Sequence, residues 1–138
     1  MELDAALAFV RTLDRGVLAT AKADGRPQLS NINYAVTDDG VVRISITDGR
    51  AKTANVRRDP AVSLHVTGAD FWPYVVLEGD AELSAVATEP DDAAVEELID
   101  LYRQIQGEHP DWDDYRRAMV ADRRLVLRLR PTHAYGTA

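Results

Sequence analysis

The segment GVLATAKADGRPQLSNINYAVTDDGVVRISIT, residues 16–47, predicts three β-strands joined by two tight turns. Its apolar and polar residues alternate with a period of two, which is the spacing of a strand with one buried face. Asp24-Gly25 and Asp38-Asp39-Gly40 are turn signals. Because a parallel pair needs a long crossover connection, strands joined by turns this short must run antiparallel. The segment therefore favours an antiparallel sheet.

Three further runs outside this segment alternate in the same way. The six predicted strands cover residues 17–21, 28–36, 41–47, 61–67, 74–83 and 125–130. Apolar residues at helical spacing predict a helix over residues 3–14 that ends at Gly16, a second capped by Thr88 and ended by Gly107, and a third capped by Asp111. Six short strands with a few helices predict a mainly β fold, a small antiparallel barrel with peripheral helices.

Length and composition narrow the class of protein. With 138 residues, one domain over residues 1–138 is expected. The absence of cysteine excludes disulfides and thiol catalysis, and no histidine or carboxylate spacing indicates a metal site. The net charge of -7 argues against a nucleic-acid partner, because phosphate backbones need a broad basic face. No apolar run reaches the roughly 20 residues that span a bilayer, and the acidic amphipathic N-terminus does not resemble a signal peptide. A cytoplasmic protein without a membrane partner is expected.

The segment DGRAKTANVRRDP, residues 48–60, concentrates positive charge in this acidic chain. It contains four of the sixteen Lys and Arg residues, and Pro60 limits its helix to about two turns. Free backbone amides at the helix N-terminus, beside Arg50, Lys52 and the Thr53 hydroxyl, predict an anion site. The competing interpretation is a solvated helix face. The spacing alone leaves both open.

Two further stretches are candidates for ligand contacts. Residues 28–34 form an unusually polar strand, with Gln28 and Ser30 on one face and Asn31 on the other. These side chains can hydrogen-bond the edge of a flat heterocycle, or they can simply face solvent. The loop Phe71-Trp72-Pro73-Tyr74 offers aromatic rings for stacking on a planar ligand or a partner subunit, and core anchoring is equally consistent.

Several stretches of the chain resemble the pyridoxamine 5'-phosphate oxidase-like split-barrel family, and more narrowly its actinobacterial deazaflavin-dependent branch. The resemblance covers nearly the whole chain, and its most specific part is PQLSN at residues 27–31 combined with RAKTANVRRDP at residues 50–60. The other matching stretches are WPYVVLEGDAEL at residues 72–83 and LIDLYRQIQGEHPDWDDYRRAMVADRRLVLRLRPTHAYG at residues 98–136.

The resemblance implies a split β-barrel of the FMN-binding type and a homodimer with cofactor sites at the interface. The implied cofactor is the deazaflavin coenzyme F420, with FMN as the alternative from the wider family. Ala51, Lys52 and Thr53 would hold the phosphate with Arg50 beside them, and Arg58 would face the anionic tail or the phosphate. Gln28, Ser30 and Asn31 would line the ring, and Ser45 would lie beneath it. Further contacts would come, partly from the second subunit, from Trp72, Pro73, Tyr74 and Val75.

The activity implied by the resemblance is hydride transfer between reduced F420 and an unsaturated small molecule. The alternatives are an FMN-dependent oxidase or reductase and a non-catalytic F420 carrier. The basic residues that grip the substrate phosphate in the oxidase proper are absent at the C-terminus, where RPTHAYG stands, and this argues against oxidation of pyridoxamine phosphate. No catalytic residue is assigned, because Tyr34, His65 or solvent can each supply the proton.

Overall fold

The computed structural model describes residues 1–138 and contains seven strands and four helices. The strands are β1 (Arg15–Ala21), β2 (Pro27–Asn33), β3 (Ala35–Val36), β4 (Val42–Thr47), β5 (Ala61–Thr67), β6 (Tyr74–Leu83) and β7 (Arg124–Gly136). The helices are α1 (Leu3–Val10), α2 (Ala51–Arg58), α3 (Ala93–Gln106) and α4 (Trp112–Ala121). The strands form one antiparallel sheet in the order β2-β1-β5-β6-β7-β4-β3, curled into a half-barrel. The predicted mainly β split barrel is confirmed.

Alternate side chains of the strands fill the barrel interior. In β5 the buried positions are Val62, Leu64 and Val66, as the alternation predicts. The paired strands β4 and β7 contribute further interior residues, among them Ile44 and Leu127. Helix α1 adds its own apolar face to this core, while α2 packs against β1 and β2. No helix in the chain combines the length and the apolar character needed to cross a membrane.

The predicted strand over residues 28–36 is two strands, because the chain changes partner at Tyr34. Before this residue β2 pairs with β1, and after it β3 pairs with β4. The Tyr34 amide donates to the Asp14 carbonyl at 2.9 Å, and its hydroxyl donates to the Val10 carbonyl at 2.7 Å. The ring is fully buried in the core. Tyr34 therefore joins the two parts of the sheet and ties α1 to both.

Strand β7 is longer than predicted because it contains a bulge. Glu78 pairs with His133, but Gly79 pairs with Pro131, so Thr132 is an extra residue on β7. An extra residue reverses the side-chain alternation. For this reason the interior residues of β7 have odd numbers up to Leu129, whereas further along the strand Ala134 faces the core. A strict period of two recognises only the first half of such a strand.

Two predicted helix boundaries are wrong. Helix α1 ends at Val10, and Gly16 lies within β1, where a Cβ atom would be 2.8 Å from the His65 carbonyl oxygen. The Thr12 hydroxyl donates to the Phe9 carbonyl and offers that group an alternative to helix. Helix α3 is capped by Asp92, whose carboxylate accepts hydrogen bonds from the backbone amides of Val95, Thr88 and Glu89. Thr88 is therefore a donor to the cap.

Helices α3 and α4 pack on the outer face of β4 and β7. Val126 points away from the barrel interior and joins a second apolar cluster with residues of these helices. Ion pairs hold α3 over the sheet: the carboxylate of Glu97 accepts from Arg128 Nε at 2.9 Å and lies 3.7 Å from Arg43 Nη1. Arg43 is only 7% exposed, and Glu97 offsets its desolvation together with Asp100, whose carboxylate accepts from Arg43 Nη2 at 2.6 Å.

Replacing the Glu97 carboxylate by an amide is expected to destabilise the protein. Glu97→Gln should lower the free energy of unfolding by about 1–3 kcal/mol, because buried Arg43 and half-buried Arg128 lose a charged partner. Urea denaturation followed by circular dichroism measures the effect. Glu89→Gln, at an exposed carboxylate without an ion pair, is the matched control. Equal stabilities of the two variants would contradict this role of Glu97.

Candidate functional site

A cavity of about 390 Å³ lies between the outer face of the sheet and the helices α3 and α4. One wall is polar and comes from strands and from α2, and the other is mostly apolar and comes from α3 and α4. The polar wall consists of Asn31, Asn33, Ser45, Lys52 and Arg124. The helical wall consists of Leu98, Leu101, Tyr102, Ile105, Gln106, Tyr115 and Met119. Three of the predicted site residues, Asn31, Ser45 and Lys52, thus meet in one cavity.

The cations at this cavity have no counter-charge within the chain. No carboxylate lines the cavity, and Arg50, Lys52 and Arg124 take part in no ion pair. The Nε atom of Arg124 is buried without a hydrogen-bond partner. Burial, and then the charges of Arg50 and Arg124, lower the pKa of Lys52. An anionic ligand would relieve both the repulsion and the unsatisfied donor.

The N-terminus of α2 borders this group of cations. Arg50 is the N-cap residue and Ala51 the first helical residue, and both are exposed. The first amides of a helix have no intrahelical acceptor, so they can bind an anion here. The Thr53 hydroxyl is already engaged, because it donates to the Thr47 carbonyl at 2.7 Å. The backbone of this turn, with Arg50 and Lys52, is the part free to contact a ligand.

The carboxylate of Asp48 holds this turn in place through two ion pairs. Asp48 accepts hydrogen bonds from Arg57 Nη1 and Arg123 Nη2, each at 2.7 Å. It thereby links the loop before α2 to the end of the same helix and to the turn before β7. The two guanidinium groups, Arg123 first, hold the pKa of the Asp48 carboxyl below its usual value. Arg57 is thus committed to an internal ion pair.

The other predicted residues of the polar strand lie on the opposite face. In the pairing of β1 with β2, Ser30 is opposite the core residue Leu18 and Gln28 is opposite the buried Thr20. Directly paired residues share a face of the sheet, so Gln28 and Ser30 point to the interior side and only Asn31 points to the cavity. The structure does not bring the three together as one edge of a ring site.

Arg58 lies at the far end of α2, away from the cavity. Its Nη2 donates to the Ala21 carbonyl at 2.6 Å and to Asn55 Oδ1 at 3.1 Å. Asn55 Nδ2 in turn donates to the Thr20 hydroxyl at 3.1 Å. These bonds attach the end of α2 to β1. The guanidinium group is nevertheless exposed, and it keeps donors that none of these bonds uses.

The predicted aromatic loop does not line the cavity in the single chain. Trp72 is 78% exposed and packs edge-on against Phe71, with 5.0 Å between ring centroids. Tyr74 stacks on His65 on the outer face of the sheet, and Pro73 is half-buried. Val75 is fully buried in the barrel core, so its side chain is not available to a ligand. The loop presents its two largest rings to the surroundings.

Comparison with known proteins gives the chain a family. The sequence profile of the family described as Pyridoxamine 5'-phosphate oxidase matches residues 3–138. The chain belongs to the pyridoxamine 5'-phosphate oxidase family. The match includes both the barrel and the helices α3 and α4, so the two walls of the cavity lie within the region shared with this family.

Solved structures similar to this pyridoxamine 5'-phosphate oxidase family member belong to proteins that are described in different ways. A conserved hypothetical protein from Mycobacterium tuberculosis is 25% identical with a TM-score of 0.75, over 99% of this chain and 84% of that one. A structure described as F420 reductase is 28% identical with a TM-score of 0.66, over 88% and 89%. A heme binding protein from Mycobacterium smegmatis is 18% identical with a TM-score of 0.71, over 98% and 53%, and shows the fold alone.

The two proton donors considered from the sequence lie outside the cavity of this family member. The Tyr34 hydroxyl is buried and bonded to the Val10 carbonyl, and burial raises its pKa. His65 is on the outer face of β5, stacked on Tyr74. No group of three or more His, Cys, Asp or Glu side chains is arranged to hold a metal ion. Neither candidate lines the wall that holds Lys52.

Sequence reasoning missed Arg124 and the surface of α3 and α4 that lines the cavity. Tyr115 and Met119 belong to the second apolar cluster, and they also line the cavity. Arg124 belongs to the run Arg123-Arg124, which precedes β7. The alternation of β7 places Arg124 on the same face as Val126, opposite to Leu125, and this was the signal available in the sequence.

The ion pairs of Asp48 are expected to make stability depend on pH. A carboxylate with a lowered pKa contributes stability above its unfolded value of about 3.9, and this contribution is lost as pH falls through the lower folded value. Asp48→Asn should therefore be less stable than the natural chain at pH 7, and the difference should vanish towards pH 3 and below. Urea midpoints across this range measure it, with Asp91→Asn as the control. A difference independent of pH would contradict this assignment.

Proposed function

We propose that the protein binds F420 and transfers a hydride between the reduced deazaflavin and an unsaturated small molecule. The observation that carries the proposal is the group of uncompensated cations, Arg50, Lys52 and Arg124, beside a polar sheet face with Asn31 and Ser45. A phosphate-bearing ring cofactor needs both features. The 28% identical structure described as F420 reductase supports F420 as the identity of that cofactor.

The residues present fit an anionic cofactor. Neither Arg50 nor Lys52 takes part in an ion pair, and burial together with the charge of Arg50 lowers the pKa of Lys52, so positive charge is held here without a counter-ion. Under this proposal Lys52, Arg50 and the first amides of α2 bind the phosphate, as charge-assisted hydrogen bonds at a helix N-terminus. Asn31 and Ser45 are placed to donate to or accept from the edge of a ring system.

The chain contributes position and exclusion of water to the reaction. When bound, the deazaflavin would supply the hydride, so that two electrons and one proton pass together from the cofactor to the acceptor. The apolar helical wall limits solvent on one side of the cavity, and the ring-edge contacts fix orientation. Because neither Tyr34 nor His65 lines the cavity, solvent is the proposed source of the second proton.

We also propose a homodimer in which the aromatic loop of each protomer contacts its partner. Large apolar side chains are exposed on the sheet, at Leu29 and Tyr135, and in the loop before β6, at Phe71 and Trp72. Exposed Trp and Tyr side chains are enriched in protein interfaces. A two-fold dimer presents the same patch from both protomers and would bury Trp72.

Removal of the Lys52 ammonium group is expected to weaken binding of F420. Lys52→Ala should cost about 1.5–3 kcal/mol, or roughly 10–150-fold in Kd, because a charged hydrogen bond is lost. Fluorescence titration of the deazaflavin measures this, with FMN titrated in parallel. The matched control is Lys22→Ala, at the only other lysine of the chain, which is exposed.

Tighter binding of FMN than of F420 would replace the deazaflavin by a flavin, and no binding of either would refute the proposal. Tight F420 binding without reduction of any enone or quinone would indicate a carrier.

A charge at the exposed aromatic loop is expected to dissociate the dimer. Sedimentation velocity should give twice the 15.2 kDa chain mass for the natural protein. Trp72→Asp should raise the dimer dissociation constant by roughly 30-fold or more, as for a central aromatic of an interface. Ala121→Asp adds the same charge at the exposed end of α4 and should leave the dimer intact. A monomeric natural protein would contradict the proposed dimer.

A further inference from the structure

We infer that the hydride acceptor is an apolar organic anion, whose anionic group is bound by Arg124 and whose apolar body lies against α3 and α4. This inference rests on the proposed function, because it assigns part of the same cavity to the second reactant. It is carried by the two chemically different walls of that cavity and by the unused donor between them.

The helical wall is suited to an apolar molecule. Helix α3 contributes Leu101, Tyr102 and Ile105, and α4 contributes Tyr115 and Met119. The Tyr115 hydroxyl donates to the Leu98 carbonyl at 3.1 Å, so this polar group is satisfied within the protein. Burial raises the pKa of Tyr115 to about 12, and the hydroxyl is not an acid at neutral pH. The two aromatic rings pack edge-on with 5.0 Å between centroids, which offers ring surface and the Met119 thioether to a ligand.

Arg124 lies where the apolar and the cationic walls meet. Its charge affects the pKa of Tyr115 on α4 and that of Lys52 on α2. Arg124 takes part in no ion pair, and the nearby carboxylate of Asp48 accepts from both Arg57 and Arg123. Its Nε is buried without a partner. A buried guanidinium donor of this kind is costly unless a ligand satisfies it.

Two separate groups of donors allow two anions to bind together. Arg50, Lys52 and the first amides of α2 form one group, which the proposed function assigns to the cofactor phosphate. Arg124, on the first residue of β7, belongs to the other group and is joined to the apolar wall. An uncharged hydride acceptor offers Arg124 only a single neutral hydrogen bond, whereas a carboxylate accepts from a guanidinium in a bidentate, charge-assisted manner. The cavity therefore selects for an acid over its uncharged analogue.

The test compares two probes of nearly the same shape, trans-cinnamate and cinnamyl alcohol, which differ in the anionic group. Isothermal titration calorimetry with the full chain is expected to show cinnamate binding at least about tenfold more tightly than the alcohol. In Arg124→Gln the preference should be lost while the affinity for the alcohol is unchanged. Arg130→Gln, on an exposed residue of the same strand without an ion pair, should keep the preference. Ile105→Ala, in the apolar wall, should weaken both probes equally.

The same titrations with oxidised F420 already bound decide whether the pocket belongs to the acceptor. Cinnamate should still bind, with its preference intact. Two results together would overturn the inference and assign Arg124 to the cofactor phosphate. F420 would displace cinnamate, and the affinity for F420 would fall as much in Arg124→Gln as in Lys52→Ala. Equal binding of the two probes by the natural protein would also overturn it. Should Arg124→Gln fail to fold, Arg124→Lys must retain a preference for the acid that is weaker than that of the natural chain.

Failure of the proposed function would be recognised separately. Titrations without cofactor measure the recognition of the anion alone, and those with F420 or FMN measure the cofactor site. A preference for cinnamate that depends on Arg124, combined with no binding of F420, would leave the anion pocket standing and refute the deazaflavin. The reverse pattern, tight F420 binding and no preference for the acid, would refute only the inference about the acceptor.

Discussion

The pairing of β4 with β7 is the constraint on which the site depends. Its interior side chains, such as Ile44 and Leu127, are required by the barrel core. Since successive side chains of a strand point to opposite faces, the intervening residues Ser45 and Arg124 have to point outwards. Val126 pairs with Ser45 on the same face and provides apolar surface on which α3 and α4 pack. Packing on one face of the sheet thus creates the cavity on the other.

The distribution of charge around this pair of strands is strongly uneven. Asp48 pairs with both Arg57 and Arg123. Glu97 pairs with Arg43 and Arg128, which also pair with Asp100 and Glu82 respectively. These ion pairs hold α2 and α3 against the sheet. The remaining cations at the cavity have no partner, although the chain carries a net charge of -7. Acidic residues are therefore abundant but are placed elsewhere, and the cations at the cavity stay without a counter-charge from the chain.

Most of the fold could be predicted from local pattern. The turns at Asp24-Gly25 and Asp38-Asp39-Gly40 and the alternation of Val62, Leu64 and Val66 specify antiparallel strands, and the structure has them. The errors have local physical causes. The extra residue Thr132 reverses the alternation of β7, and Asp92 competes successfully with Thr88 for the cap of α3.

The site could be predicted only in part. Residues that carry their chemistry in a short segment, such as Arg50 and Lys52 at the start of a short helix, were recognised because spacing along the chain implies proximity. The meeting of Lys52 with Arg124 was not, since 71 residues separate them in sequence and only the pairing of β4 with β7 brings them together. The sequence by itself determined the class of fold and one half of the group of unpaired cations. The tertiary structure decided the other half and the apolar wall, because long-range strand pairing and helix packing determine which distant side chains share one cavity.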